Sequence, residues 1–199
     1  MKSADFAALT DLLWPDGDGT TRHQVYWLVD GARDPAIVGL LRSGGLEYTC
    51  LYTGDLHPQL QAAAPYLVHL AIGSSTTNRL LRTGWGKAWG ILTIAAPHIT
   101  LAQQRLHFKK YLRVKSEDGR ELAFRFYDPR VLNIYLPTCT DQEVKAFLGP
   151  VQRVIAELPG GTSLNQFDLD GQRMRTRMVA LAADSASVQA DESQPGGTS

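Results

Sequence analysis

Apolar residues recur along this chain with two periods, and the switches between them mark out its elements. Phe6, Leu9, Leu12 and Leu13 stand at helical spacing within residues 3–14, and Pro15-Asp16-Gly17-Asp18-Gly19 stops that helix and opens a linker. Residues 25–30 (VYWLVD) are rich in β-branched and aromatic side chains and predict a strand. Asp34-Pro35 then supplies an N-cap with proline at the first helical position, so a short helix runs to Gly44-Gly45. The alternation continues with a strand at 46–52, a short helix at 58–64, a strand at 66–72, a polar-capped helix at 74–82 and a buried strand at 89–95.

Two capping boxes fix later helix starts. Thr100-x-x-Gln103 opens a helix to about Tyr111, and Thr140-x-x-Glu143 opens another whose apolar face is Val144, Phe147 and Leu148. Between them, YLRVKS and RELAFRFYD flank Glu117-Asp118-Gly119, and Asp-Gly between alternating runs predicts a hairpin. Gly149-Pro150 ends the second capped helix, and the spacing of Val151, Val154, Ile155 and Leu158 predicts a further helix from Pro150. Residues 167–179 (FDLDGQRMRTRMV) alternate around Asp170-Gly171 as a late hairpin, with Arg173, Arg175 and Arg177 on one face. From Ala182 the chain is small and polar, which predicts a disordered tail.

These patterns predict one α/β (α+β mixed) fold: a central mixed sheet with flanking helices, a helical C-terminal lobe and a late hairpin. The expected organisation is an N-terminal helix and linker over 1–20, a core over 24–158, a hairpin extension over 159–181 and the tail over 182–199. At 199 residues there is enough chain for one good core. Hydrophobic residues make up 44% and charged residues 20%, which excludes a wholly disordered chain. Twenty basic and twenty acidic side chains cancel, so nothing in the global charge points to nucleic acid or an anionic membrane as a partner. The opening MKSADFAALT has no signal-peptide core and no stretch approaches a membrane span, from which a cytoplasmic location is expected. Cys50 and Cys139 stand far apart in apolar surroundings and read as structural thiols.

Catalytic signatures are missing from the sequence. There is no Gly-x-Ser-x-Gly elbow, no His-Glu-x-x-His helix and no dinucleotide fingerprint. Gly84-Trp85-Gly86-Lys87 is superficially like a phosphate loop, but Leu81 stands where the leading glycine belongs and Ala88 where a hydroxyl should hold magnesium. His23, His57, His69, His98 and His107 have no metal-ligand spacing; His69 reads as an interior or edge residue and His107 as a solvated or edge one. No catalytic residue, cofactor or metal is expected. The residues carried forward as partner contacts are Trp85 and Trp89, the charged group Arg125, Asp128 and Arg130, and the stripe Arg173, Arg175 and Arg177. Each has a plainer reading as well. Trp89 lies in a strand run and Trp85 packs over its loop; Asp128-Pro129 ends a strand and starts a turn with the arginines pairing locally; the stripe is the wet face of an edge strand.

The order of segments resembles a known family. LVDGARDP from Leu28, CLYTGDL from Cys50, APYLVHL from Ala64, GWGKAWGILTIA from Gly84, DGRELAFRFYDPRVLNIYLP from Asp118 and FLGPVQRVI from Phe147 look like the domain of unknown function 4123, over about residues 24–157. The Arg-Phe-Tyr-Asp-Pro-Arg block followed by Phe-x-Gly-Pro is the most specific part. The resemblance implies a chaperone or adaptor of bacterial type VI secretion, which stabilises a cognate toxic effector and helps load it onto the spike protein VgrG. The competing readings are an immunity-type protein that neutralises a toxin and an enzyme with an unrecognised site at Asp128. Under the adaptor reading, the block either ties the fold together or lines an effector cleft. The effector is expected to lay a helical segment into an apolar groove between the 89–95 strand and the helices of 140–158, with the arginine stripe at its rim.

Overall fold

The structure, a computed structural model, describes residues 1–15, 23–116 and 118–181. Strands β1 (Gln24–Asp30), β2 (Tyr48–Cys50), β3 (Pro65–Leu70), β4 (Gly90–Ala95), β7 (Val151–Glu157), β8 (Ser163–Asp170) and β9 (Arg173–Ala180) form one sheet in the order β2-β3-β1-β4-β7-β8-β9. Strands β5 (Arg113–Lys115) and β6 (Glu121–Ala123) pair apart from it as a small hairpin. The helices are α1 (Ser3–Leu13), α2 (Ala36–Ser43), α3 (Pro58–Ala62), α4 (Ser75–Gly84), α5 (Leu101–Phe108), α6 (Pro129–Tyr135) and α7 (Asp141–Leu148).

The α/β class and the late hairpin agree with the sequence, but the expected mixed sheet is antiparallel at every pairing. The reason is topological. β1 and β2 run the same way, as strands joined through a helix do, but β3 lies between them. β3 and β4 also run the same way, with β1 between them. Each crossover therefore skips one strand, and no two parallel strands become neighbours.

Alternation along the strands feeds two cores. Val25, Trp27 and Val29 of β1 face one side, with α1, α2 and α4 packed over them through Leu9, Leu13, Ile37, Leu41, Leu80 and Leu81. Tyr26 and Leu28 face the other side, beneath Leu101 and Phe108 of α5, Leu132 of α6 and Phe147 of α7. The second core is aromatic: Phe108 and Phe126 stack at 5.6 Å, and Phe147 meets Phe126 edge-on at 5.6 Å.

Two expectations fail here. Residues 151–157 form the strand β7, paired with β4 and β8, so the helical C-terminal lobe is reduced to α6 and α7. Val151, Val154 and Ile155 show helical spacing because a bulge opposite Ile94/Ala95 breaks the strand's alternation: Val151, Val154 and Ala156 enter the aromatic core while Ile155 enters the other. The second strand of the hairpin, expected to run to Asp128, stops at Ala123 as β6, and residues 129–135 form α6. The predicted turn at Asp128-Pro129 is in fact a helix start, with proline in its first turn. Residues 163–180 are an integral part of the main sheet, and the predicted tail lies outside the described residues.

Candidate functional site

The Arg125, Asp128 and Arg130 group comes together with acids the sequence did not single out. The Asp128 carboxylate caps α6, accepting from the Arg130 amide at 3.0 Å, and also grips the Arg130 guanidinium at 3.0 and 2.6 Å. Burial pushes this carboxyl up, but the two donors and the charge of Arg130 outweigh it and hold it below the usual carboxylate range. Arg125 turns the other way and lies 3.5 Å from Asp30, an acid closing the apolar strand β1 and only 1% exposed. Burial raises the Asp30 carboxyl despite a bond from the Ala32 amide. Glu157, at the end of β7, receives the amides of Gly86 and Ala88, and burial raises it as well. Arg33 donates to the Lys87 carbonyl at 3.2 Å, and a cleft of about 220 Å³ opens between Arg33, Lys87, Arg130 and Glu157. The acids point inward and the guanidiniums outward, so the group ties the 85–89 loop, β1, α6 and β7 into one corner.

Trp85 and Trp89 are not surface contacts. Trp85 is 4% exposed and donates its indole N–H to the Gly161 carbonyl at 2.7 Å; Trp89 is 1% exposed and packs on Trp27 at 6.3 Å. Their role as partner contacts is therefore withdrawn. Trp85 stands between two glycines because the turn at Gly160-Gly161 folds back over the loop and closes it.

Arg173, Arg175 and Arg177 line one face of β9, as alternation requires. Arg175 and Arg177 reach Asp168 on β8 at 2.9 and 3.0 Å, and Arg153 on β7 reaches the same carboxylate at 3.0 Å. Arg153, Asp168 and Arg175 are direct cross-strand neighbours, which makes the row a continuous ladder. Burial would raise Asp168, but its guanidinium partners hold it low. Arg173 has no carboxylate within 4 Å among the described residues.

The groove expected between β4 and the helices of 140–158 is filled, since β7 pairs with β4 in that place. A different groove of about 720 Å³ opens beside the small hairpin. Leu51 forms its base; Leu56 and Leu60 line it from the α3 side, and Leu112 and Leu122 from the hairpin side. Leu60 and Leu122 are 47% and 48% exposed, and Val114, the cross-strand partner of Leu122, is exposed too. Lys109 and Lys110 stand at the rim, with no carboxylate partner among the described residues, beside Arg113, which pairs with Glu121 at 2.8 Å. The sequence signal was present but slight: two lysines just after the Thr100 helix, then an alternating hairpin with leucine at its middle.

His69 donates a short bond from Nε2 to the Gln24 side-chain carbonyl at 2.6 Å on the sheet, whereas His107 is half-buried, bonded to the Phe147 carbonyl at 2.7 Å, and not a solvated residue. Burial lowers both imidazoles. Cys50 and Cys139 are free thiols raised by burial. Among the described residues no group of three His, Cys, Asp or Glu is placed to hold a metal ion, and no helix is long and apolar enough to cross a membrane.

Two kinds of surface thus emerge: an apolar groove with a basic rim, and a basic sheet edge. A family model described as Domain of unknown function (DUF4123) matches residues 25–146. No curated protein and no solved structure matches the chain.

Proposed function

The chain belongs to the DUF4123 family, and on that premise we propose that it is a type VI secretion chaperone and adaptor, which binds a cognate toxic effector and promotes its loading onto the VgrG spike. It works in the cytoplasm by binding and catalyses no reaction of its own. The groove beside the hairpin carries this reading: all of its lining residues fall between Leu51 and Ala123, inside the matched segment. Its partly exposed leucines suit the apolar face of a helix, and its rim lysines, Lys109 and Lys110, suit acidic residues flanking that face. Apolar anchors in such a groove set affinity, and rim charges mainly set the association rate.

Co-expression with a type VI effector and a VgrG spike protein tests the proposal. An adaptor brings down effector together with spike, an immunity protein effector alone, and an enzyme neither. Leu60→Glu combined with Leu122→Glu places charge in the groove at positions already in contact with solvent. The double variant should melt within a degree or two of the parent and lose effector by at least about tenfold in affinity. Unchanged effector capture by the folded variant would remove the groove from the interface.

A further inference from the structure

The main sheet has two edges, and they are finished differently. At β2 the edge is three residues long, and the Arg105 guanidinium of α5 donates to the carbonyls of Cys50 at 2.7 Å and Tyr52 at 3.2 Å. That covers the edge. At β9 the edge is eight residues long and, among the described residues, pairs with β8 alone. Its Met174 amide points away from β8 and donates to Asp141 at 2.8 Å. In an antiparallel ladder every second residue directs both peptide groups outward, so Thr176 and Met178 share the orientation of Met174. No described residue answers their N–H or C=O groups. Met178 is 72% exposed.

Charge decides what such an edge accepts. Arg153, Arg173, Arg175 and Arg177 lie on one face, where the acids that meet them among the described residues are Asp168 and Asp170, so the described face carries an excess of positive charge. A second copy of the same strand is a poor match. Pairing through the outward peptide groups joins odd-numbered residues with odd-numbered ones, and a two-fold arrangement overlapping most of the strand sets arginine against arginine. Like charges directly opposite destabilise a strand pair.

We propose that β9 is a docking edge for an extended segment of another protein, one that carries Asp or Glu at alternate positions and apolar residues between them. The acidic side chains meet the Arg173, Arg175 and Arg177 face; the apolar ones lie beside Met178 and Thr176; the backbone completes the ladder. Asp141, holding the Met174 amide, marks one end of the open stretch. This docking edge lies outside the 25–146 segment and is independent of the secretion reading.

The test uses the full chain and a short synthetic peptide of alternating glutamate and valine, with its lysine–valine counterpart as control. The acidic peptide should bind, should slow amide exchange at Thr176 and Met178, and should bind more weakly as salt rises. Thr176→Pro removes an outward N–H at an edge position where proline is compatible with the β8 ladder, and should weaken peptide binding by about tenfold or more. Arg173→Glu, at a residue with no carboxylate partner among the described residues, should also weaken it and serves if the proline variant does not fold. Equal binding of the lysine peptide, protection elsewhere, no binding at all, or a dimer of the free chain that protects Thr176 and Met178 would each overturn the proposal.

Discussion

Asp128 does two jobs at once, and they differ in size. Its side chain caps α6 and holds Arg130, but Arg130 is 58% exposed, so water screens the ion pair and leaves the cap as the larger contribution. Asp128→Ala should therefore cost about 1–2 kcal/mol in urea unfolding, with Asp128→Asn, which still caps, costing less. A variant that melts like the parent yet no longer binds effector would make Asp128 a binding residue. The Asp-Pro-Arg spacing made this pairing legible beforehand, because cap and guanidinium come from residues two apart. Trp85 was not legible in the same way. Its burial depends on a turn at Gly160-Gly161 that lies far along the chain, and nothing local announces it.

At the scale of elements, local chemistry was readable and pairing was not. Both capping boxes form as their spacing dictates, with Thr100 and Gln103, and Thr140 and Glu143, exchanging bonds. The end of α7 was equally legible. Gly149 stands there at φ 53°, and a Cβ at that position would lie 2.2 Å from the His107 ring. Gly149→Ala should cost about 1–3 kcal/mol from backbone strain alone, with the ring clash adding to it. Gly171→Ala, at a similar φ of 62° but with nothing near its Cβ, is the comparison, and thermal melts should rank it the milder change. Beyond Gly149 the reading failed. A strand buried on both faces shows no alternation, and the bulge in β7 produced the spacing of a helix instead. The groove was missed for a related reason: its two walls are brought together by the fold, and neither is distinctive alone.

For the whole molecule, acid should act through the half-buried histidines before the carboxylates. His69 and His107 are lowered by burial from the ordinary 6.5, so the stability they support is present above that value and is lost as pH falls through their folded values. Glu157 and Asp30 are raised by burial and act with the opposite sign, favouring the fold as they take up protons at lower pH. Melting temperatures at about pH 7.5 and about pH 5.5 should therefore fall more for the parent than for His107→Gln, whose amide can still donate to the Phe147 carbonyl. Equal falls would show that His107 does not govern the acid response. The place of β7 in the sheet has a consequence of another kind, for the chain while it is being made. β4 emerges from the ribosome long before its second neighbour, and until residues 151–157 follow, it is a free edge with apolar residues on both faces. Translation halted between 96 and 150 would release a chain whose future centre is its stickiest border, so the speed with which the last third is synthesised bears on whether a molecule folds or joins its neighbours.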